Sequence, residues 1–283
     1  MQRMRGVAGE ESGNALISPQ LAAATSVPLV PRLEPSWERI ASYRSPYDAA
    51  TQWRPGPALA VVLLICAATA AIALGGSLLI VKRARDLTSI DGAAMVPMFL
   101  AQMTMIATAL LAARRNGDRL IRALALKAPM GGLSTYAKWL ALLLAAVGLF
   151  TWISATVFDH DQTSDIRGMG EIFRGPWWPL ALIVIGVGAP LSEELLFRGF
   201  LQTALVQTRL GFWGGSAITT TLWTAMHAGY SLVGLIEVFL IGLVFCVMLR
   251  QTGSLRVTIA SHAIYNTLIA LIVILAPKDW LGF

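Results

Sequence analysis

Ala189-Pro190-Leu191-Ser192-Glu193-Glu194-Leu195-Leu196-Phe197-Arg198-Gly199-Phe200 sets two adjacent glutamates and an arginine inside an otherwise apolar run. The residues just upstream, Pro179-Leu180-Ala181-Leu182-Ile183-Val184-Ile185-Gly186-Val187-Gly188, carry no charge and read as membrane-embedded. A charge at that depth costs about 2.5–3.5 kcal/mol per group even on the mild insertion scale, so it is retained for a purpose. The stretch is expected to supply half of a reactive site within the bilayer.

Composition agrees with that placement. Of 283 residues, 56% are hydrophobic and 13% charged, whereas about a quarter are charged in a soluble domain. Several apolar runs reach the length of about 20 residues that a spanning helix needs. The hydrophobicity is continuous rather than alternating, which excludes a β-barrel reading. The fold class is therefore all-α, a polytopic membrane helix bundle. The net charge of +6 is spread over short loops and forms no single basic stripe, so no nucleic-acid partner is expected. Cys66 and Cys246 each lie in an apolar run and suggest no disulfide framework.

Outward from the quoted stretch, spans are expected at about 56–81, 90–113, 136–158, 178–207, 212–227, 232–249 and 255–276, which makes seven, with an eighth an alternative. The segment 118–127 alternates Arg119, Arg122 and Lys127 with Leu120, Ile121, Leu124 and Leu126 and suits a helix lying in the interface. Between the third and fourth spans a polar loop carries Asp159, Asp161, Asp165, Arg167, Glu171 and Arg174. Residues 1–54, rich in Pro, Ser, Ala and charge, read as a mostly disordered cytoplasmic tail without a signal peptide. Residues 55–283 then form the integral membrane domain. Counting Lys and Arg over the loops places the N-terminus in the cytoplasm and the acidic loop outside, as expected of a multi-pass protein of the cell membrane.

Three histidines are present. His160 is in the acidic loop, while His227 and His262 lie in apolar surroundings, where either alone is as readily a structural hydrogen-bonding group. Together with the glutamates they make a pattern. Residues four apart share a helix face, so Glu194 aligns with Arg198, Trp223 with His227, and His262 with Asn266. Charges facing lipid are too costly, and three helices are therefore expected to turn these groups into one interior. A carboxylate shielded from bulk water can serve as general base, a neighbouring His can polarise a water, and a His–Asn pair offers two donors for a developing oxyanion. Ser192 and Ser261 adjoin the motifs, but neither has a base at helical spacing.

Glu193-Glu194-x-x-x-Arg198, Trp223-x-x-x-His227 and His262-x-x-x-Asn266, in this order within apolar helices, resemble the three-motif signature of the CPBP intramembrane proteases. This family includes the type II CAAX prenyl endopeptidases and bacterial abortive-infection or bacteriocin-immunity proteins. Phe197-Arg198-Gly199-Phe200-Leu201 and Gly253-Ser254-Leu255 fit the same resemblance, which covers about residues 178–272. It implies an intramembrane endopeptidase in which Glu193 and His227 activate water and His262 and Asn266 hold the oxyanion. Glu194 and Arg198 are inferred to form a supporting ion pair. The second motif usually begins with Phe, and Trp223 is expected to be a packing position. The implied partners are the lipid bilayer and a membrane-embedded or lipidated peptide or protein substrate.

The family is traditionally classed with metalloproteases, and two His with two Glu could ligate zinc. No HExxH occurs, however, and a carboxylate–His pair can activate water alone. No cofactor is favoured, with zinc the alternative. Two further functional readings stand beside the protease: a non-catalytic scaffold or immunity factor on the same fold, and an ion-coupled transporter, which the lack of an internal repeat disfavours. Glu237, a further intramembrane carboxylate, matches no family catalytic position and is expected to make a structural hydrogen bond, the alternative being that it lines the same cavity or a substrate entry path.

Overall fold

Pro190, inside the quoted stretch, has no N–H to donate and fixes the shape of the helix around which the others pack. The computed structural model describes residues 46–47, 51–83, 90–115, 119–161 and 163–277. Most of the 1–54 stretch therefore lies outside the described residues. Among them the structure is helical with no strand: α1 (Pro55–Arg83), α2 (Ile90–Arg115), α3 (Leu133–Val157), α4 (Ser164–Arg174), α5 (Trp178–Leu205), α6 (Gly211–Ala225), α7 (Leu232–Thr252) and α8 (Leu255–Leu275). A single turn, Leu120–Ala123, precedes α3.

α5 is the central helix. Of its residues 56% are buried, against 11% for α3, whose face is left to lipid. It is π-helical over Leu182–Gly188 and Glu194–Gln202, with an α-helical segment Ala189–Glu193 between. π turns arise where the i→i+4 ladder is disturbed. Here the Ala189 N–H still reaches the Val184 carbonyl, and the next donor in that register would be Pro190.

Six helices, α1, α2, α3, α5, α7 and α8, are long and apolar enough to cross a bilayer. The segment expected as a further span, 212–227, forms the 15-residue α6, roughly 22 Å long at 1.5 Å per residue. Six candidate spans thus stand against the seven expected, with 212–227 the segment that falls short. Leu255 N–H donates to the Ala125 carbonyl and Ser254 Oγ to the Lys127 carbonyl, at 2.8 and 2.5 Å, tying the start of α8 to the segment before α3. Ser231, just beyond α6, bonds to Asp165 of α4.

Two local outcomes differ from the sequence expectation. The 118–127 segment contains only one helical turn, and Ala123, Leu124 and Ala125 are buried beneath the bundle instead of resting on lipid. The acidic loop contains a helix, α4, which turns Ile166, Met169, Ile172 and Phe173 inward. Arg174 at its end donates to the carbonyls of Val273 and Ala276, which the end of α8 leaves open. α7 stops at Gly253, whose φ of +61° is a left-handed cap that only glycine adopts freely.

Lipid tails are as apolar as leucine, so helix association in a membrane depends on close packing and hydrogen bonds. Buried side-chain donors from several elements supply these. Gln202 Nε2 donates to Ser216 Oγ at 3.0 Å, Gln102 Nε2 to the Val184 carbonyl at 2.9 Å, and Trp53 Nε1 to the Phe200 carbonyl at 3.0 Å.

Candidate active site

Glu193, His227, His262 and Asn266 line one cavity of about 600 Å³, which also touches α1, α2, α4 and α7. Three separate segments of sequence therefore meet, as their cost apart requires. One wall is polar. The remainder is apolar and rich in Met and Ile, including Met95, Met98, Met169, Ile185 and Ile269.

Glu194 and Arg198 lie behind this wall. Both are fully buried, and Arg198 Nη1 donates to Glu194 Oε1 at 2.9 Å. The same oxygen lies 3.1 Å from His262 Nδ1. Because the acceptor is a carboxylate paired with a guanidinium, His262 Nδ1 must be the donor, which leaves Nε2 as the ring nitrogen available to the cavity. Arg198 is held further by its Nη2, 3.4 Å from the Gly242 carbonyl, and by lying 4.4 Å from the centroid of the Trp223 ring.

His227 is arranged in the same sense. Its Nδ1 is 3.0 Å from the Trp223 carbonyl, which can only accept, so Nδ1 carries the proton and Nε2 is free. Asn266 Nδ2 donates to the Ile185 carbonyl at 3.2 Å, in the π-helical stretch one residue beyond Val184. Its intrahelical donor in the π register would have been Pro190. Asn266 supplies the missing bond from α8, and one N–H of its amide remains for the cavity.

Trp223 corrects the sequence expectation. It is more than a packing residue: its indole Nε1 donates to Glu193 Oε2 at 2.6 Å. A phenylalanine could not do so. One charge-assisted hydrogen bond contributes about 1.5–3 kcal/mol, enough to offset the side-chain entropy of about 1.5–2 kcal/mol lost on holding a glutamate in one rotamer. The indole is packed among His227, Phe245 and His262, with ring centroids 5.0, 6.1 and 5.6 Å away.

Tyr230, Glu237 and Tyr265 share the cavity, none of them a member of the three motifs. Glu237 lies in the cavity wall, the alternative to a structural hydrogen bond that the sequence left open for it. Its spacing from Ile241, a full helical turn on the same face of α7, was the available signal. Among the described residues no three His, Cys, Asp or Glu side chains are placed to hold one metal ion.

A protein from Escherichia coli described as an uncharacterized 24.3 kDa protein is 37% identical over 92 residues, 31% of this chain and 42% of that protein. The chain thus spans less than half the length of the curated relative it matches. No solved structure matches. Residues 175–268, the segment that carries Glu193, His227 and His262 together with Asn266, match the family described as type II CAAX prenyl endopeptidase, Rce1-like.

Proposed function

We propose that residues 178–272 form the catalytic core of an intramembrane endopeptidase that hydrolyses a membrane-embedded or lipidated peptide or protein. The observation that carries this reading is the single cavity shared by Glu193, His227, His262 and Asn266. The family match over residues 175–268 supports it.

In this reading Glu193 is the general base and His227 Nε2 accepts a hydrogen bond from the attacking water. As the water oxygen bonds to the scissile carbonyl carbon, its proton passes to Glu193. The carbonyl oxygen becomes the oxyanion and receives the second N–H of Asn266 and the Nε2–H of His262. For Nε2 to donate while Nδ1 bonds to Glu194, the ring must carry both protons, and Glu194 is the counter-charge for that form. Collapse of the intermediate breaks the C–N bond, and Glu193 returns its proton to the leaving amine. Arg198 keeps Glu194 ionised and in place. This mechanism needs no metal. The apolar remainder of the cavity suits a hydrophobic segment or lipid chain of the substrate.

Comparative proteomics of membranes from cells carrying wild type or Glu193→Gln tests the reading. Accumulation of an uncut precursor in the variant is expected, and its cleavage by purified wild-type protein should follow. The proposal fails if well-folded Glu193→Gln and His227→Ala proteins cleave that precursor as wild type does. The cytoplasmic placement of the N-terminus in the cell membrane belongs to the same proposal, and cysteine accessibility from each side of the membrane tests it.

A further inference from the structure

We propose that Trp223 is a positioning residue for Glu193: its indole N–H fixes the Glu193 carboxylate through Oε2 and leaves Oε1 directed to the attacking water. This rests on the assignment of Glu193 as general base. Three observations carry it. Among the described residues Trp223 is the hydrogen-bond donor to Glu193, at 2.6 Å. The indole is itself immobilised, since it is 2% exposed, Arg198 lies 4.4 Å from its centroid, and His227 and His262 meet its ring edge-on at interplanar angles of 67° and 89°. Finally, α7 makes room for it at Gly242, where an added Cβ would stand 3.0 Å from Trp223 Cε3.

The consequence is mechanical. A glutamate on a helix has three side-chain torsions, and a general base must lie within hydrogen-bond reach of the water it deprotonates. The indole removes that freedom before substrate arrives. It also couples the two halves of the site, because the Trp223 carbonyl orients His227 Nδ1 while its side chain orients Glu193. Both partners of the water are thus set by one residue.

The test combines a substrate-free readout with a kinetic one. In ¹⁵N-indole-labelled protein in micelles, the Nε1–H resonance missing from Trp223→Phe belongs to Trp223. It should lie at low field in wild type and move to higher field in Glu193→Ala. On the precursor revealed by Glu193→Gln, Trp223→Phe should lower kcat about 10- to 100-fold, the scale expected when a reacting group is displaced by about an ångström, with KM little changed. Replacing Trp223 by β-(3-benzothienyl)alanine, which keeps the indole shape without the N–H, should give the same loss if the bond and not the packing matters. It also serves if Trp223→Phe fails to fold. Wild-type kcat in the benzothienyl protein, or a Trp223 resonance that ignores Glu193→Ala, overturns the proposal. Should Glu193→Gln itself cleave normally, the assignment of the base has failed as well, and the resonance then reports the hydrogen bond without a catalytic consequence.

Discussion

Asn266 on α8 bonds to the Ile185 carbonyl on α5, replacing the donor that Pro190 lacks. The pair links a break in one helix to the orientation of a candidate oxyanion donor on another. Without Asn266 the carbonyl is left unpaired in a helix interior, which costs about 1–3 kcal/mol. Asn266→Ala should lower the unfolding free energy in detergent by that amount. Pro190→Ala restores an N–H to α5 and should suppress most of the cost. A double-mutant cycle on the two positions should therefore show coupling of about 0.5–3 kcal/mol. Additive effects would mean that the proline and the amide act independently.

The Glu194–Arg198 pair has no exposure to water. Removing one member of a buried pair strands the other and costs about 3–5 kcal/mol, whereas replacing both by apolar residues is often close to neutral. Arg198→Leu should be severely destabilised, and Glu194→Leu combined with Arg198→Leu should recover most of the loss, both measured by urea unfolding in micelles. The double variant should nonetheless remain inactive on the precursor, because His262 Nδ1 has lost the carboxylate 3.1 Å away. Recovery of folding without recovery of cleavage separates the two roles of the pair.

These effects were unequally visible in the sequence. Charged residues in apolar runs announce their own convergence, and the i,i+4 spacing of Glu194 and Arg198 already places them side by side. The partner of Glu193 is different. It lies 30 residues away in sequence, and Trp223 reads as one more bulky residue in a largely apolar run. Only the fold shows that its N–H points at a carboxylate. α4 was hidden for another reason. Its charges at Asp165 and Arg174 make the segment read as a loop, although Ile166, Met169 and Phe173 recur at helical spacing. The link from Asn266 to Ile185 needed the register of a π-helical stretch, which Pro190 hints at and only the backbone fixes.

Gly242 allows α7 to approach α6 and the Arg198–Trp223 stack. A Cβ there would lie 2.6 Å from Thr220 Cγ2, 3.0 Å from Trp223 Cε3 and 3.1 Å from Arg198 Nη2. None of the three neighbours is free to withdraw, since Thr220, Trp223 and Arg198 are all buried. Gly242→Ala should cost about 1–3 kcal/mol from overpacking. Gly148→Ala is the matched control, because a Cβ there meets nothing within 4 Å, and it should be neutral or stabilising by up to about 1 kcal/mol through helix propensity. Thermal unfolding of both variants in the same detergent checks the contrast.

α4 closes one side of the cavity and is pinned at both ends by bonds to helix termini. Asp165 Oδ1 accepts the Ser231 N–H at 2.6 Å and Oδ2 the Ser231 hydroxyl at 2.8 Å, at the start of α7. Arg174 meets the last carbonyls of α8. Each charge has the sign that the adjoining helix end favours. The apolar contacts of Ile166 and Met169 with the cavity are thus held by a clasp that one substitution can open. Asp165→Ala removes both bonds to Ser231 and should cost about 1–2 kcal/mol, but its larger effect should be on access. With Cys66 and Cys246 replaced by Ala, a cysteine at Met226 on the cavity wall should react faster with a water-soluble maleimide once Asp165 is changed. Asp165→Asn keeps one acceptor for the Ser231 N–H and should fall between the two. An alkylation rate that is the same in all three proteins would show that the entrance lies elsewhere and that α4 is a fixed wall.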